Sequence, residues 1–172
     1  MAGHEAGHAV VAWHFGSWPR QIRVNVSEKG SSGDTDRLNI SGKDADIAIS
    51  MAGYAANTDL QGVSKEEAWR TAGDDIDLMR GRYSCSDDDL ERGAAEARRI
   101  LDSMLAPWEK LRDFLNELDV MQYDDIAMCI NGRVVYPPCS KCGKVVDIQV
   151  DQHIATSSAG RLFCGLCTAH MR

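Results

Sequence analysis

The order of apolar and polar residues predicts a chain that begins with a helix. Within the segment 2–15, His4, His8 and Val11 recur at steps of four and three residues, which places them on one face of a helix. Gly16 follows this segment and predicts the end of the helix, because glycine commonly terminates helices. The first predicted element is therefore a helix that carries two histidines on the same side.

A short β structure is predicted next. In the segment 21–26, apolar residues alternate with polar ones, as in a strand with one buried face; the apolar positions are Ile22, Val24 and Val26. The segment 28–34 is polar and rich in glycine and serine, and it predicts a loop or hairpin. The segment 38–40 is then expected to be the partner strand.

Helical periodicity dominates the rest of this part of the chain. It continues over the segments 44–57, 87–118 and 123–130. Ser64 and Glu67 have the spacing of a capping box, in which two side chains bond free backbone amides, and they predict the start of another helix. Pro107 lies inside the longest segment and predicts a kink or a division into two helices. We therefore expect a mainly α fold with a small β-hairpin.

A change of composition near residue 132 predicts a boundary between two domains, 1–131 and 132–172. β-like runs at 133–136 and 145–150 follow the boundary, and two Cys-x-x-Cys pairs flank the second run. The second domain is therefore predicted to be a small β module.

The two Cys-x-x-Cys pairs predict a zinc ribbon. They consist of Cys139, Cys142, Cys164 and Cys167. Four thiolates close the coordination sphere of Zn²⁺, so this metal would be structural and would fold a segment too short for a core of its own. The alternatives are surface thiols or a redox pair, and His153 or His170 could replace one cysteine.

Composition and charge narrow the class of protein. Hydrophobic residues make up 44% and charged residues 26% of the 172 residues, as in an ordinary folded domain with a small appendage. No apolar run approaches the roughly 18 to 20 residues of a membrane span, and no signal peptide is visible. Because thiols arranged for zinc also indicate a reducing compartment, we expect a cytoplasmic protein without a membrane partner. The net charge of −7 disfavours nucleic acid as a partner, except through the ribbon.

The sequence His4-Glu5-Ala6-Gly7-His8 carries the candidate chemistry. Two histidines four residues apart on a helix point the same way, so both rings can bind one Zn²⁺. Glu5 lies at the edge of that face, where its carboxylate can take a proton from a water on the metal and pass it to a leaving amine. The motif predicts peptide-bond hydrolysis with Glu5 as the catalytic base, and its alternative is a pair of surface histidines on an amphipathic helix.

This motif and the residues 9–13 (AVVAW) resemble the zinc helix of the FtsH-type (AAA-protease) peptidase family. Residues 51–57 (MAGYAAN) are similar to the family's Ala-Gly-Arg-Ala-Ala-Glu helix, and residues 73–77 (GDDID) are similar to the element that holds its third zinc ligand. The resemblance covers roughly residues 2–130. It implies a zincin-like helical metallopeptidase domain whose catalytic Zn²⁺ is held by His4, His8 and Asp75, with Asp74 and Asp77 as alternatives to Asp75.

Two departures from that family limit what the resemblance implies. Asn57 stands where the family has a glutamate, so a supporting role of that carboxylate does not carry over. The chain contains no Gly-x-x-x-x-Gly-Lys-Ser/Thr phosphate loop, so we expect no ATP-driven unfolding by this chain alone.

The predicted function is a zinc metalloendopeptidase that cleaves flexible or unfolded polypeptides and contains one catalytic and one structural Zn²⁺. An unfoldase or docking partner, and an oligomeric assembly, are left open. The alternative is a non-catalytic zinc-binding regulatory or adaptor protein, in which a peptidase-like domain is a scaffold and the ribbon recognises protein or nucleic acid.

Overall fold

The computed structural model of the chain describes residues 1–27, 30–38, 42–149, 155–156 and 162–169. The elements are α1 (Ala2–His14), β1 (Pro19–Ser27), β2 (Gly30–Arg37), α2 (Lys43–Ser50), α3 (Ala52–Ala55), a π-helical turn (Ala56–Leu60), α4 (Lys65–Thr71), α5 (Gly73–Tyr83), α6 (Asp87–Ser103), α7 (Leu105–Glu117), β3 (Val120–Gln122), α8 (Tyr123–Asn131), β4 (Ala155–Thr156), β5 (Leu162–Phe163) and α9 (Gly165–Ala169). The predicted mainly helical fold with a small antiparallel β part is confirmed. Among the helices of these residues, none is both long enough and apolar enough to cross a bilayer.

Helix α1 is the centre of the fold and is surrounded by other elements. All of its residues from Ala2 to Trp13 are buried, and most of them are small, which lets α3, α7 and β1 pack closely against it. The indole Nε1 of Trp108 on α7 donates to the backbone oxygen of Gly3 at 3.0 Å and ties the first turn of α1 to its neighbour. The two histidines of α1 are therefore inside the protein, and the alternative of surface histidines is wrong.

A three-stranded antiparallel sheet covers part of α1 and has the strand order β2-β1-β3. In the pairing of β1 with β2, Gly33 lies opposite Val24 and Thr35 lies opposite Ile22. Because opposite residues share a face of the sheet, Gly33 and Thr35 project on the buried side, toward α1. The outer edge of β2 has no partner strand among the described residues.

Of the predicted loop or hairpin, the hairpin is confirmed, but strand β2 corrects the position of its second strand. Residues 30–34 belong to this strand rather than to a loop, and the partner of β1 is not the segment 38–40. Leu38 follows the strand, and residues 39–40 lie outside the described residues. The polar sequence hid this strand because its inward positions contact a polar side chain of α1 while its outward positions are exposed.

The helices α2 to α6 enclose a second apolar cluster. Its large buried side chains include Ile47, Met51, Tyr54, Ile76, Met79 and Leu90. The predicted start of α4 is confirmed, since the Glu67 N–H donates to the Ser64 hydroxyl at 3.3 Å. The Glu67 carboxylate, however, accepts from the Arg70 guanidinium at 2.6 and 3.0 Å, so the expected second half of the capping box is absent there.

The predicted division of the segment 87–118 is also confirmed. The break lies at Met104, and Pro107 is the third residue of α7. The backbone nitrogen of a residue in the first turn needs no partner within the helix, so proline is tolerated at that position. The helix α8 agrees with the predicted segment 123–130 to within one residue.

The chain beyond α8 folds back onto that helix. Helix α8 ends at Gly132, whose φ of 70° is the left-handed conformation that glycine adopts most readily. The Tyr136 hydroxyl then donates to the Asp124 carboxylate at 2.6 Å, and its ring stacks on Tyr123 with centroids 5.5 Å apart. These contacts anchor the cysteine-containing segment to the helical part.

The predicted β-like runs around the cysteines are not regular strands. Residues 133–136 form no strand, and among the described residues of the run 145–150 only Val145 pairs, through an isolated bridge to Pro138. Val150 lies outside the described residues. Pro137 and Pro138 have no backbone N–H to donate to a partner strand. The backbone amide of Cys139, which follows them, donates to the backbone oxygen of Lys144 at 2.7 Å and closes a tight turn. The short strands β4 and β5 pair with each other instead.

Candidate metal centres

The histidines of α1 meet at one point. The Nε2 atoms of His4 and His8 are 3.0 Å apart, and the two residues are only 5% and 7% exposed. This agrees with the spacing of four residues, which brings both rings to one side of the helix.

Helix α5 brings a carboxylate to the same point. The Oδ2 of Asp75 lies 3.5 Å from the Nε2 of His4 and 3.3 Å from the Nε2 of His8. The other two aspartates of α5 are outside this cluster: Asp74 lines the adjoining cleft and Asp77 is exposed. We refer to the three clustered residues, His4, His8 and Asp75, as the His-Asp site.

The dimensions of the His-Asp site fit a zinc ion. Ligand atoms bound to Zn²⁺ at about 2.0 to 2.1 Å in a tetrahedron lie about 3.3 to 3.4 Å apart. The three observed separations, 3.0, 3.3 and 3.5 Å, bracket that value. Three protein ligands also leave one position of the tetrahedron for a water or a substrate atom, as catalytic zinc sites do.

Surrounding groups fix the orientation of both rings. The Nδ1 of His8 donates to the backbone oxygen of Ile49 at 2.7 Å, which leaves Nε2 as the nitrogen that faces the site and can bind a metal in place of a proton. The ring of His4 lies against Gly53 of α3, where a Cβ atom would come within 3.0 Å of three ring atoms. Only glycine leaves room for the imidazole at this position.

Asn57 supports the other side of the His4 ring. Its Nδ2 lies 3.3 Å from the Nδ1 of His4, and its amide also contacts Thr71 at 3.1 Å and Gln61 at 2.8 Å. Asn57 belongs to the π-helical turn, a wide turn that commonly marks functional positions. The sequence identified residue 57 only as a departure from a family pattern, whereas the structure places its side chain against a candidate ligand.

The charges of the His-Asp site favour a cation. Burial lowers the pKa of His8, but the carboxylates of Asp75 and Glu5 outweigh that effect and raise it to about 9. Burial likewise raises the pKa of Asp75, yet the two histidines hold it well below its ordinary value. A positive charge is therefore stabilised between these groups, and a metal ion would compete with a proton for the same place.

Glu5 lies next to the His-Asp site in a defined orientation. The residue is 4% exposed, and its Oε2 accepts a hydrogen bond from the Thr35 hydroxyl at 2.8 Å. Gly33, which lies on β2 with Thr35, is so close to the Glu5 carboxylate that a Cβ atom at residue 33 would overlap it. Neither Gly33 nor Thr35 stood out in the sequence, because the contacts that make them relevant join residues from separate elements.

A cleft of about 770 Å³ opens onto Glu5 and the His-Asp site. One wall is strand β2, and the other includes Asp75, Leu78 and Arg82 of helix α5. The cleft therefore runs along β2, whose outer edge has no partner within the described part of the chain, and along the three candidate ligands and the glutamate.

The cysteines of the two Cys-x-x-Cys pairs form a second cluster, here called the four-cysteine site: Cys139, Cys142, Cys164 and Cys167. Their sulfur atoms all lie within 4.8 Å of one another. Sulfurs bound to Zn²⁺ at about 2.3 Å in a tetrahedron lie about 3.8 Å apart, and the Sγ atoms of Cys142 and Cys164 are separated by 3.7 Å. The site can therefore hold zinc, while His153 and His170 lie outside the described residues.

The thiols of the four-cysteine site differ in their proton affinity. A hydrogen bond from the backbone of Cys164 is the main cause that lowers the pKa of Cys139 to about 6. Burial and the neighbouring thiols raise the pKa of Cys167 to about 12. Cys139 therefore favours the thiolate form that metals bind. Cys167 is disfavoured as a second thiolate, and a bound cation would remove that penalty.

Two comparisons with known proteins found no match. No protein-family model matches the sequence, and no curated protein matches it significantly. The function is therefore inferred from the two clusters and from the residues around them.

Proposed function

We propose that the protein is a zinc-dependent metalloendopeptidase with a zincin-like catalytic domain. The observation that carries this proposal is the convergence of His4, His8 and Asp75 beside the oriented carboxylate of Glu5 in a single cleft. The resemblance of the motifs to the FtsH-type peptidase family points to the same chemistry.

In this proposal the side chains of the His-Asp site hold the metal and Glu5 moves the proton. Zinc, when bound there, supplies a Lewis acid that polarises the scissile carbonyl and acidifies water. Glu5 takes a proton from the attacking water and delivers it to the nitrogen of the leaving amine. Thr35 supports this role because its hydrogen bond to Oε2 keeps the carboxylate turned toward the cleft.

The shape of the cleft favours an extended polypeptide as substrate. The outer edge of β2 lines the cleft and offers backbone amides and carbonyls to a pairing strand. A folded substrate does not expose its backbone in this way, so flexible or unfolded segments are the expected substrates. A partner that delivers unfolded chain would extend the range of substrates.

The four-cysteine site has a structural role in this account. Its four thiolates would fill the coordination sphere of a second zinc and leave no position for a substrate. The apolar side chains around it, such as Val146, Ile148 and Leu162, join the cluster that surrounds α1. This zinc would therefore stabilise the end of the chain against the helical part.

Cleavage of casein by the zinc-loaded protein tests the proposal. We expect Glu5→Gln to retain both zinc ions and to lose roughly 10²- to 10⁴-fold in rate, because it removes only proton transfer. The matched control is Glu109→Gln, which changes an exposed glutamate of α7 and should cleave at the wild-type rate.

Equal activity of wild type and Glu5→Gln would overturn the assigned role of Glu5. A wild-type protein that holds two zinc ions but cleaves neither casein nor short peptides would instead favour a zinc-binding regulatory or adaptor protein.

A further inference from the structure

One end of the cleft is formed by two arginines that share a buried carboxylate. Asp46 is 1% exposed; its Oδ1 accepts from Arg37 at 2.6 Å, and its Oδ2 accepts from Arg82 at 2.7 Å and from the Tyr83 hydroxyl at 3.0 Å. Both arginines line the cleft. Two cations thus meet one anion, and the group keeps a net positive charge.

Arg82 has the capacity to bind a further anion. Its side chain is 45% exposed; its NH1 donates to Asp46, and Tyr83 lies beside the guanidinium. A guanidinium presents five N–H donors, so most of its donors remain for a ligand. Asp46 and Tyr83 hold the base of this group in place, which reduces the entropy that a ligand must overcome.

Two elements lead from the His-Asp site to this end of the cleft. On α5, Asp75, Leu78 and Arg82 lie on one face, and the seven helical steps from Asp75 to Arg82 span roughly 10 Å along the helix. On β2, Gly33 lies beside Glu5, and the four steps along the strand from Gly33 to Arg37 span roughly 13 Å. An extended polypeptide covers such a distance with about three residues.

Five acidic residues line the cleft; Glu5 and Asp75 belong to the proposed catalytic group, and the other three are exposed. Asp34 and Asp36 project from the face of β2 opposite to Gly33 and Thr35, and both are exposed. Asp74 is exposed and precedes Arg82 on α5 by eight positions, or roughly 12 Å along the helix. Charges exposed in this way are screened by water and salt.

We propose that Arg82, supported by Arg37 and Asp46, binds a carboxylate of the substrate about three residues from the cleaved bond. The carboxylate would belong either to an acidic side chain or to the C-terminus of the polypeptide. This inference rests on the proposed peptidase function and assigns a substrate class to it. Leu78, between Asp75 and Arg82, would contact the intervening substrate residues.

Matched short fluorogenic peptides test the inference. In the first set, all peptides have an amidated C-terminus, and for each position around the cleavage site one peptide carries a glutamate and its partner carries a glutamine. A second pair has no acidic residue and ends in a free acid or an amide. We expect wild-type kcat/KM to favour the carboxylate about tenfold in one of the pairs, which also identifies the source of the carboxylate.

Arg82→Gln should lose that preference, whereas Arg80→Gln should keep it. Arg80 lies on the same helix outside the cleft, where it pairs with Asp87, so it is the matched control. Asp46 retains Arg37 and Tyr83 in the Arg82→Gln variant, and the fold should therefore be preserved.

Peptide binding to the zinc-loaded Glu5→Gln variant separates this inference from the function on which it rests. If the wild type cleaves nothing, the peptidase proposal fails, yet a tenfold tighter Kd for the carboxylate peptide would still support the anion site. Equal kcat/KM and equal Kd within both pairs, or a preference that survives Arg82→Gln, would overturn the anion site while leaving the peptidase proposal intact.

Discussion

The substitution Gly53→Ala tests whether the close packing around His4 serves metal binding. A Cβ atom at residue 53 would lie within 3.0 Å of three atoms of the His4 ring, so the ring would have to withdraw by roughly 1 Å to reach ordinary contact distance. Bonds to a bound metal tolerate displacements of only about 0.2 Å. We therefore expect the affinity of the His-Asp site for zinc to fall about 10- to 100-fold, or about 1.4 to 2.8 kcal/mol.

Competition with a chromophoric chelator would measure that affinity, with the melting temperature recorded in parallel. The matched control is Gly81→Ala on α5, where a Cβ atom would meet nothing within 4 Å. This control should bind zinc as the wild type does and should be stabilised by about 0.5 to 1 kcal/mol, because alanine favours helices over glycine. Wild-type zinc affinity in Gly53→Ala, or an equal loss in Gly81→Ala, would refute the reasoning.

Three further predictions address the surroundings of the two sites. Asn57→Ala should weaken zinc binding by roughly tenfold in the same competition assay, because the His4 ring loses its polar support. Asp46→Asn should lower the free energy of unfolding by about 2 kcal/mol in urea titrations, since it leaves two arginines without their carboxylate. Burial alone would raise the pKa of Asp46, but the two arginines outweigh burial and lower this pKa. The ionised Asp46 should therefore stabilise the fold above about pH 4, and this contribution to the free energy of unfolding should be lost as the pH falls further. In Asp46→Asn the free energy of unfolding should fall less steeply over that pH range. Cys142→Ser should reduce the zinc content from two ions to one per chain by mass spectrometry, and casein cleavage should be retained because the four-cysteine site has a structural role in the proposal.

The local patterns of the sequence predicted much of the helical fold. The period of apolar residues predicted α1 and α8, and the serine at position 64 predicted the start of α4. These features depend on neighbouring residues, which is why the sequence shows them. Strand β2 was missed because pairing with β1, and not its own pattern, makes it a strand.

The candidate site was predictable only in part. The spacing within α1 indicated two histidines on one side, but the choice of Asp75 over Asp74 and Asp77 depended on a family resemblance. The surroundings of the site arise from contacts between elements far apart in the chain, such as Gly53 beneath His4 and Thr35 against Glu5. No local pattern records such contacts, so they emerge only from the fold.

A zinc titration of the metal-free protein, followed by the rate of casein cleavage, tests the central claim most directly. If His4, His8 and Asp75 hold the zinc beside Glu5, cleavage is absent without metal and reaches its maximum when two zinc ions are bound per chain. Cleavage that persists after zinc is removed, or no cleavage with two zinc ions bound, would contradict the account.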